Sequence, residues 1–395
     1  MTAAAAETCR DAAAERFGVS VGAEILEGGS SARVYHALRP DGSPMVLKVV
    51  TARPGTVDGH DLASFRTKES QIDLARRQAP RLGGRYQPIV DSVHGPDWAA
   101  QLTPYFPSQD LAAPLRAGDS GAFFDTYRSV ATELIGHGYA ATTTAAPADY
   151  LDRVVIARFF RRLPMLRRAL PELTGADVLL VNGRRCRSPV RVLTELRDRE
   201  AGRLARLAPR RLGFPAHGDA NTRNVLVAPD RRDFRLIDPR GSTAPLDPVY
   251  DLAKALFSLS VWDPALRRGC VVRRLGGTPP SYRAGLRDTS EHPYREAVLG
   301  FVPFLADLPC LRELLDDPGW RARLLLTHDL HVLSEAACRL SDDKPRWGAD
   351  GRPVTPVELA AFHYLVGAVL LDDLVEQFSA GDEPDPERHL ADLPW

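Results

Sequence analysis

Lysine is nearly missing from this chain of 395 residues. Of 51 basic residues only four are lysines (Lys48, Lys68, Lys254, Lys344), which leaves 47 arginines. A position that keeps lysine against that bias is one to inspect. Net charge is also missing: 51 acidic residues balance the 51 basic ones. That argues against a chain-wide electrostatic grip on nucleic acid or on an anionic membrane. No apolar run approaches the roughly 18 residues of a membrane span. The five cysteines (Cys9, Cys186, Cys270, Cys310, Cys338) are scattered, odd in number and without a C-x-x-C pair. This disfavours a zinc knuckle or redox pair and fits a reducing cytoplasm. Met1 to Arg10 carries Glu7 and no basic leader before an apolar stretch, so no signal peptide is expected.

What is present is ordinary globular composition, with 44% apolar and 26% charged residues. The length suits roughly two to three lobes of ordinary size. The neutral total hides a bipolar chain. Residues 151–211 hold 16 arginines against six acids, and residues 212–395 hold 21 basic residues against 28 acidic ones.

Along the chain, Ala3 to Phe17 reads as a helix ending at Gly18. Strand-like stretches follow at Ala23 to Leu26 and Arg33 to Leu38, then a dense turn at Pro40-Asp41-Gly42-Ser43-Pro44. Met45 to Val50 is a short apolar run, read as a buried strand. Leu62 to Gln78 has helical spacing. Ile89 to Val93 and Trp98 to Leu102 read as a further strand pair. After about residue 110 the pattern is mainly helical. Exceptions are Val178 to Val192, with Asn182-Gly183 as a hairpin signal, a second hairpin within Phe214 to Ile237, and a short strand at Cys270 to Leu275.

The most informative segment is His217-Gly218-Asp219-Ala220-Asn221-Thr222-Arg223-Asn224-Val225-Leu226-Val227, followed by Leu236-Ile237-Asp238-Pro239-Arg240-Gly241. A carboxylate heads a loop, an amide follows five residues later, and a second carboxylate ends the next strand. The turn at Pro229-Asp230 would bring all three to one end of a hairpin. Phosphoryl transfer needs such a set: one carboxylate to orient a hydroxyl and accept its proton, an amide oxygen and another carboxylate to hold Mg²⁺ against phosphates.

H-G-D-x-x-x-x-N-V-L followed by a strand-terminal aspartate resembles the aminoglycoside phosphotransferase-like (choline kinase-type) branch of the protein-kinase-like superfamily, which contains small-molecule kinases. The resemblance spans about Val21 to Leu252 by motif. It implies Asp219 as catalytic base and Asn224 and Asp238 as metal ligands. It places Gly28-Gly29-Ser30-Ser31 at the phosphate-covering loop, with Gly29, Ser30 and Ser31 as contacts, although Ala32 stands where a third glycine is usual. Lys48, charged within the apolar strand Val46-Leu47-Lys48-Val49-Val50, needs a partner. The resemblance supplies the nucleotide phosphates and a helix carboxylate, Glu69, with Asp73 one turn on as the alternative. Leu102 to Pro107 resembles the interlobe hinge, with the Pro104 carbonyl and the Phe106 N–H reading adenine. Asp251 would brace the catalytic loop. Arg240 would approach phosphate or form a salt bridge.

The expected fold is therefore α+β and bilobal, protein-kinase-like. A nucleotide-binding N-lobe at 1–106, with an antiparallel sheet plus helix, precedes a larger, mainly helical C-lobe at 107–395. The expected reaction is transfer of the γ-phosphate of ATP or GTP, with Mg²⁺, to a hydroxyl of a small molecule such as an antibiotic, natural product, amino sugar or sugar. No nucleic-acid or membrane partner is expected, and the oligomeric state is unassigned. Two alternatives stay open: a protein kinase, disfavoured by the absence of H-R-D and A-P-E, and a nucleotide-binding pseudokinase or scaffold. Weaker candidates are a metal site at His328, His331 and Glu335, a cationic-substrate face at Asp372, Asp373 and Glu376, and a lid or hairpin over the site at Asp263 to Arg287. The arginine-rich 151–211 stretch is read as a helix face balanced by C-terminal acids.

Overall fold

The computed structural model describes residues 3–26, 32–52, 61–287, 294–315, 317–342, 344–348, 350–380, 383–391 and Leu393. Helix α1 (Ala3–Phe17) stops where Gly18 takes φ +62°, a left-handed conformation that glycine adopts without strain. Five strands follow: β1 (Ser20–Glu24), β2 (Arg33–Leu38), β3 (Pro44–Thr51), β4 (Asp91–His94) and β5 (Trp98–Pro104). They form one antiparallel sheet in the order β1-β2-β3-β5-β4. Alternation along β3 sorts its side chains. Met45, Leu47 and Val49 join Ala13, Tyr35, Ala37, Ala100 and Leu102 in a small core under α1. Val46 and Lys48 point to the opposite face, toward a cleft. Helix α2 (Leu62–Gln78) is started by Asp61, whose carboxylate accepts from Ser64 N at 2.7 Å.

The chain then crosses into a mainly helical layer. The short strand Gln109–Asp110 pairs with Val225–Val227, which in turn pairs with Phe234–Leu236. This is the expected second hairpin. The first is present too: Val178–Val181 and Arg184–Arg187 turn through Asn182 (φ +53°) and Gly183 (φ +83°), both left-handed as a two-residue hairpin requires. The strand expected at Cys270 to Leu275 spans Cys270–Gly276 and pairs with Ser281–Leu286. That hairpin extends the 178–187 pair into a four-stranded sheet and packs on the helix Pro356–Ala380. It is no lid: of residues 263–287 only Arg267 lines the cleft. The apolar pattern of residues 270–286 gave no hint of which surface they would cover.

The helices Trp320–Leu340 and Pro356–Ala380 pack along each other, and the first also packs on Pro248–Phe257. The charge asymmetry of the sequence is resolved here. Arg184 meets Asp373 and Arg187 meets Asp372, each at 2.6 Å. Two members of the supposed cationic-substrate face are thus the counter-ions of the arginine-rich segment, and none of Asp372, Asp373 and Glu376 lines the cleft. Among the described residues no helix is long and apolar enough to cross a membrane.

A cluster around the fully buried His328, Asp329 and His389 fastens the C-terminal helix Pro386–Ala391. Asp329 Oδ1 lies 2.9 Å from His328 Nδ1 and 3.1 Å from His389 Nε2, and Asp373 lies 3.6 Å from His389 Nδ1. Burial alone would lower the pKa of His389, but Asp329 and Asp373 overcome it and raise it to about 9. A raised folded-state pKa gives stability that is fully present below the unfolded value of 6.5 and lost as pH rises through about 9. Urea unfolding should therefore lose about 3 kcal/mol between those limits. His389→Gln should flatten that slope; an unchanged slope would refute the charged imidazolium.

Candidate functional site

The hairpin 225–236 gathers the expected residues. Asn224 sits at the end of a one-turn helix begun by Asn221, whose Oδ1 accepts from Arg223 N (3.0 Å) and Asn224 N (3.1 Å). The Asn224 side-chain amide donates to Asp219 twice, to the carbonyl at 2.8 Å and to Oδ2 at 3.0 Å. Asp219 Oδ1 faces Lys254 Nζ at 3.0 Å. Asp238, past the second strand, has φ +54°. Its Oδ1 is paired with Lys48 and, at 3.0 Å, with Lys68 Nζ.

The loop carrying Asp219 is held from below by one buried carboxylate. Asp251 accepts from Gly218 N (2.9 Å), Ala220 N (3.1 Å) and Tyr139 Oη (2.7 Å). It has the bracing geometry expected of it. His217 adds a local lock. Its Nδ1 accepts from Asp219 N at 3.2 Å, so Nε2 carries the proton and faces Ile237 O at 3.0 Å. Gly218 has φ +76°, and a Cβ there would fall 2.9 Å from Arg240 Cβ. Arg240 itself donates to Tyr250 Oη at 2.6 Å and lies over that ring, and it does not line the cleft.

Helix α2 reaches this loop through Gln71. Its amide donates to Ala216 O (2.7 Å) and His217 O (3.2 Å), while its oxygen accepts from Gly241 N (2.7 Å) and Ser242 N (3.0 Å). The approach is close: a Cβ on Gly241 would lie 2.2 Å from Ser64 O.

The expected partner of Lys48 is corrected. Glu69 accepts from Ser92 Oγ at 3.0 Å, and Asp73 pairs with Arg76 at 3.2 Å. The helical phase turns Lys68, not Glu69, toward Lys48. Two ammonium groups therefore share Asp238, both about 5.9 Å from the ring centre of Phe65. Burial lowers the pKa of Lys48 to about 8, against the pull of Asp238. Burial would raise that of Asp238, but the two lysines outweigh it and hold it well below the usual carboxylate range.

These groups line a cleft of about 580 Å³ with Val46, Ile72, Ile89 and Leu236 on its apolar side. Pro104 and Phe106 line it as well. The Pro104 carbonyl already accepts from the Gln87 side-chain amide, which leaves one of its two lone pairs. Gly29, Ser30 and Ser31 lie outside the described residues. His331 and Glu335 do not join His328 in a metal site. His331 packs edge-on against Tyr250, and Glu335 pairs with Arg339 at 2.6 Å and Lys254 at 3.8 Å. His328, Asp329 and His389 have ligand atoms within 4.8 Å of one another, and His328 Nε2 is taken by Ser260 Oγ at 2.7 Å.

Sequence reasoning gave no role to Lys68, Gln71, Lys254 or Lys344. A signal existed: all four lysines of the chain line this one cleft, and Lys254 lies one helical turn after Asp251 on the same helix face.

No protein-family profile matches the chain, and no curated protein does. Among solved structures it is similar to an aminoglycoside-3'-phosphotransferase of type VIII, with 18% identity over 93% of this chain and 98% of that one and a TM-score of 0.43. It is similar to a glucosamine kinase, with 15% identity over 90% and 94% of the two chains and a TM-score of 0.43. It is also similar to an aminoglycoside phosphotransferase, APH(3'')-Id, from Streptomyces rimosus, with 19% identity over 65% and 84% and a TM-score of 0.37.

Asp251→Ala should leave two backbone donors and the Tyr139 hydroxyl unpaired in the interior, at a cost of about 3 kcal/mol or more. Tyr139→Phe should cost about 1 kcal/mol. Urea titration measures both, and equal losses would refute the ranking.

Proposed function

We propose that this chain is a small-molecule kinase that transfers the γ-phosphate of ATP or GTP to a hydroxyl, with Mg²⁺, using Asp219 as catalytic base. One observation carries the reading. The Asp219–Asn224 pair and the Lys48–Asp238 pair, from elements far apart in sequence, line one cleft with an apolar wall. A nucleotide's base suits the apolar side, where the Pro104 carbonyl and the Phe106 N–H are the proposed hinge contacts. Its phosphates suit Lys48 and Lys68, together with Gly29, Ser30 and Ser31.

The donor set fits Mg²⁺. The Asn224 amide nitrogen is turned to Asp219, which directs its oxygen the other way. Both lysines sit on Oδ1 of Asp238, which leaves Oδ2 for a cation. Two hard oxygen ligands beside phosphates suit this ion. When bound, it offsets negative charge on the transferring phosphoryl group.

The chain's own groups do the rest. Lys254 and Asn224 fix the two oxygens of the Asp219 carboxylate, so it is oriented before the acceptor arrives. The acceptor hydroxyl gives its proton to Asp219 as its oxygen bonds to the γ-phosphorus. The bond from that phosphorus to the β,γ-bridging oxygen breaks, and the nucleoside diphosphate leaves with the electron pair. Most of the rate enhancement is positioning and fixed charge. The free cysteines suit a reducing cytoplasm as the working compartment.

Asp219→Asn should lower turnover by about 10²–10⁴-fold while nucleotide affinity stays nearly unchanged. Equal turnover in a coupled assay across amino sugars, neutral sugars, nucleosides and hydroxylated antibiotics would sink the base assignment. Asp238→Ala should abolish the difference between nucleotide titrations with and without Mg²⁺; a preserved difference would exclude it as a ligand.

A further inference from the structure

The inference rests on the phosphotransfer reading and concerns the acceptor. Beyond Lys48 and Lys68, the cleft is lined by Arg116, Arg223, Arg267, Arg339 and Lys344. Three of these guanidinium groups share two carboxylates. Asp110 Oδ2 takes Arg116 at 2.8 Å and Arg267 at 2.7 Å, and Asp263 takes Arg223 at 2.7 Å and Arg267 at 2.9 Å. On the other side, Arg339 meets Glu335 at 2.6 Å, and Asp342 Oδ2 takes both Arg339 at 3.0 Å and Arg346 at 2.8 Å. The indole of Trp262 joins the two groups, with Arg223 at 5.1 Å and Arg339 at 5.9 Å from its ring centre.

Lys344 completes this wall and differs from the rest. It is only 4% exposed. Asp342 gives its backbone N–H an oxygen at 3.3 Å, but no ion pair forms at its ammonium among the described residues. A buried ammonium without a counter-charge is expensive. Burial lowers its pKa, and Arg346 adds to this, with Asp342, Glu24 and Asp238 opposing. Among the described residues, six cations (the five above and Arg346) thus stand against Asp110, Asp263, Glu335 and Asp342, while Glu24 and Asp238 act on Lys344 without an ion pair. Lys254 and Asp219 balance each other. A polycationic acceptor would meet surplus positive charge here.

We propose that the acceptor is an anion: a hydroxylated small molecule whose carboxylate or phosphate is bound by Lys344 and the Arg116–Arg223–Arg267 cluster while its hydroxyl faces Asp219. The acceptor's charge supplies the counter-ion that the wall lacks.

The test uses the full chain with saturating ADP and Mg²⁺, which fill the nucleotide half. Glucose, glucosamine, gluconate and glucose 6-phosphate share a scaffold and differ in charge. Their binding is read from Trp262 fluorescence, with Trp262→Phe as the signal control, and nucleotide turnover is measured in parallel with ATP. Gluconate or glucose 6-phosphate should bind at least about tenfold more tightly than glucose or glucosamine, and Lys344→Gln should remove most of that gain while Lys344→Arg keeps it. The two anions separate a carboxylate site from a phosphate site. The proposal is overturned if neither anion binds more tightly than glucose, if glucosamine binds best, or if Lys344→Gln weakens ADP alone. Selective anion binding with no turnover of any acceptor would instead overturn the phosphotransfer reading and leave the anion site standing.

Discussion

The site depends on one carboxylate that two buried ammonium groups share. Lys48 projects from the middle of a sheet and Lys68 from a helix, and among the described residues neither pairs with a carboxylate on its own element. Asp238, about 170 to 190 residues later in the chain, serves both. Burial makes each of the three groups costly alone. Their mutual contact therefore fixes the sheet, helix α2 and the 225–236 hairpin relative to one another. Gln71, one turn along from Lys68, adds four hydrogen bonds to the same two loops. The loop bearing Asp219 is thereby held from above by α2 and from below by Asp251.

The distribution of lysine follows from the same physics. Arginine presents a broad planar fork that suits bidentate pairing, whereas lysine places a compact charge at the end of a flexible stem. On this protein's outer faces arginine serves throughout, as at Arg184 and Arg187 with their aspartates. Lysine is kept where an ammonium must reach a single oxygen in a confined space: Lys48 and Lys68 on Asp238, Lys254 on Asp219. Lys344 shares the confinement and makes no ion pair among the described residues, which is what the proposed anion would supply. Asp372 and Asp373, two of the acids expected on a cationic-substrate face, are engaged in neutralising the arginine-rich segment.

Local features were legible in the sequence because local rules govern them. Gly18 ends α1, Asn182-Gly183 turns a hairpin, and period-two alternation marks β3. The aspartate–asparagine spacing of the 217–224 loop is legible because Asn221 builds a single turn that returns Asn224 to Asp219. The partner of Lys48 was not legible. Glu69 and Lys68 are neighbours in sequence, and only the rotational phase of α2 against the sheet chooses between them. The 270–286 hairpin was recognisable as strands, but which surface it joins depends on edge pairing with a segment about 100 residues earlier.

The sequence by itself determined the kinds of element, the loop that carries Asp219 and Asn224, and the presence of a lysine inside an apolar strand. Each depends on residues within a few positions of one another. Only the tertiary structure decided which charges neutralise which. It drew all four lysines to one cleft, tied the C-terminal acids to distant arginines, and left Lys344 buried without an ion pair among the described residues. Electrostatic partnership is set by distance and burial in three dimensions, and net charge, the first quantity a sequence offers, contains neither.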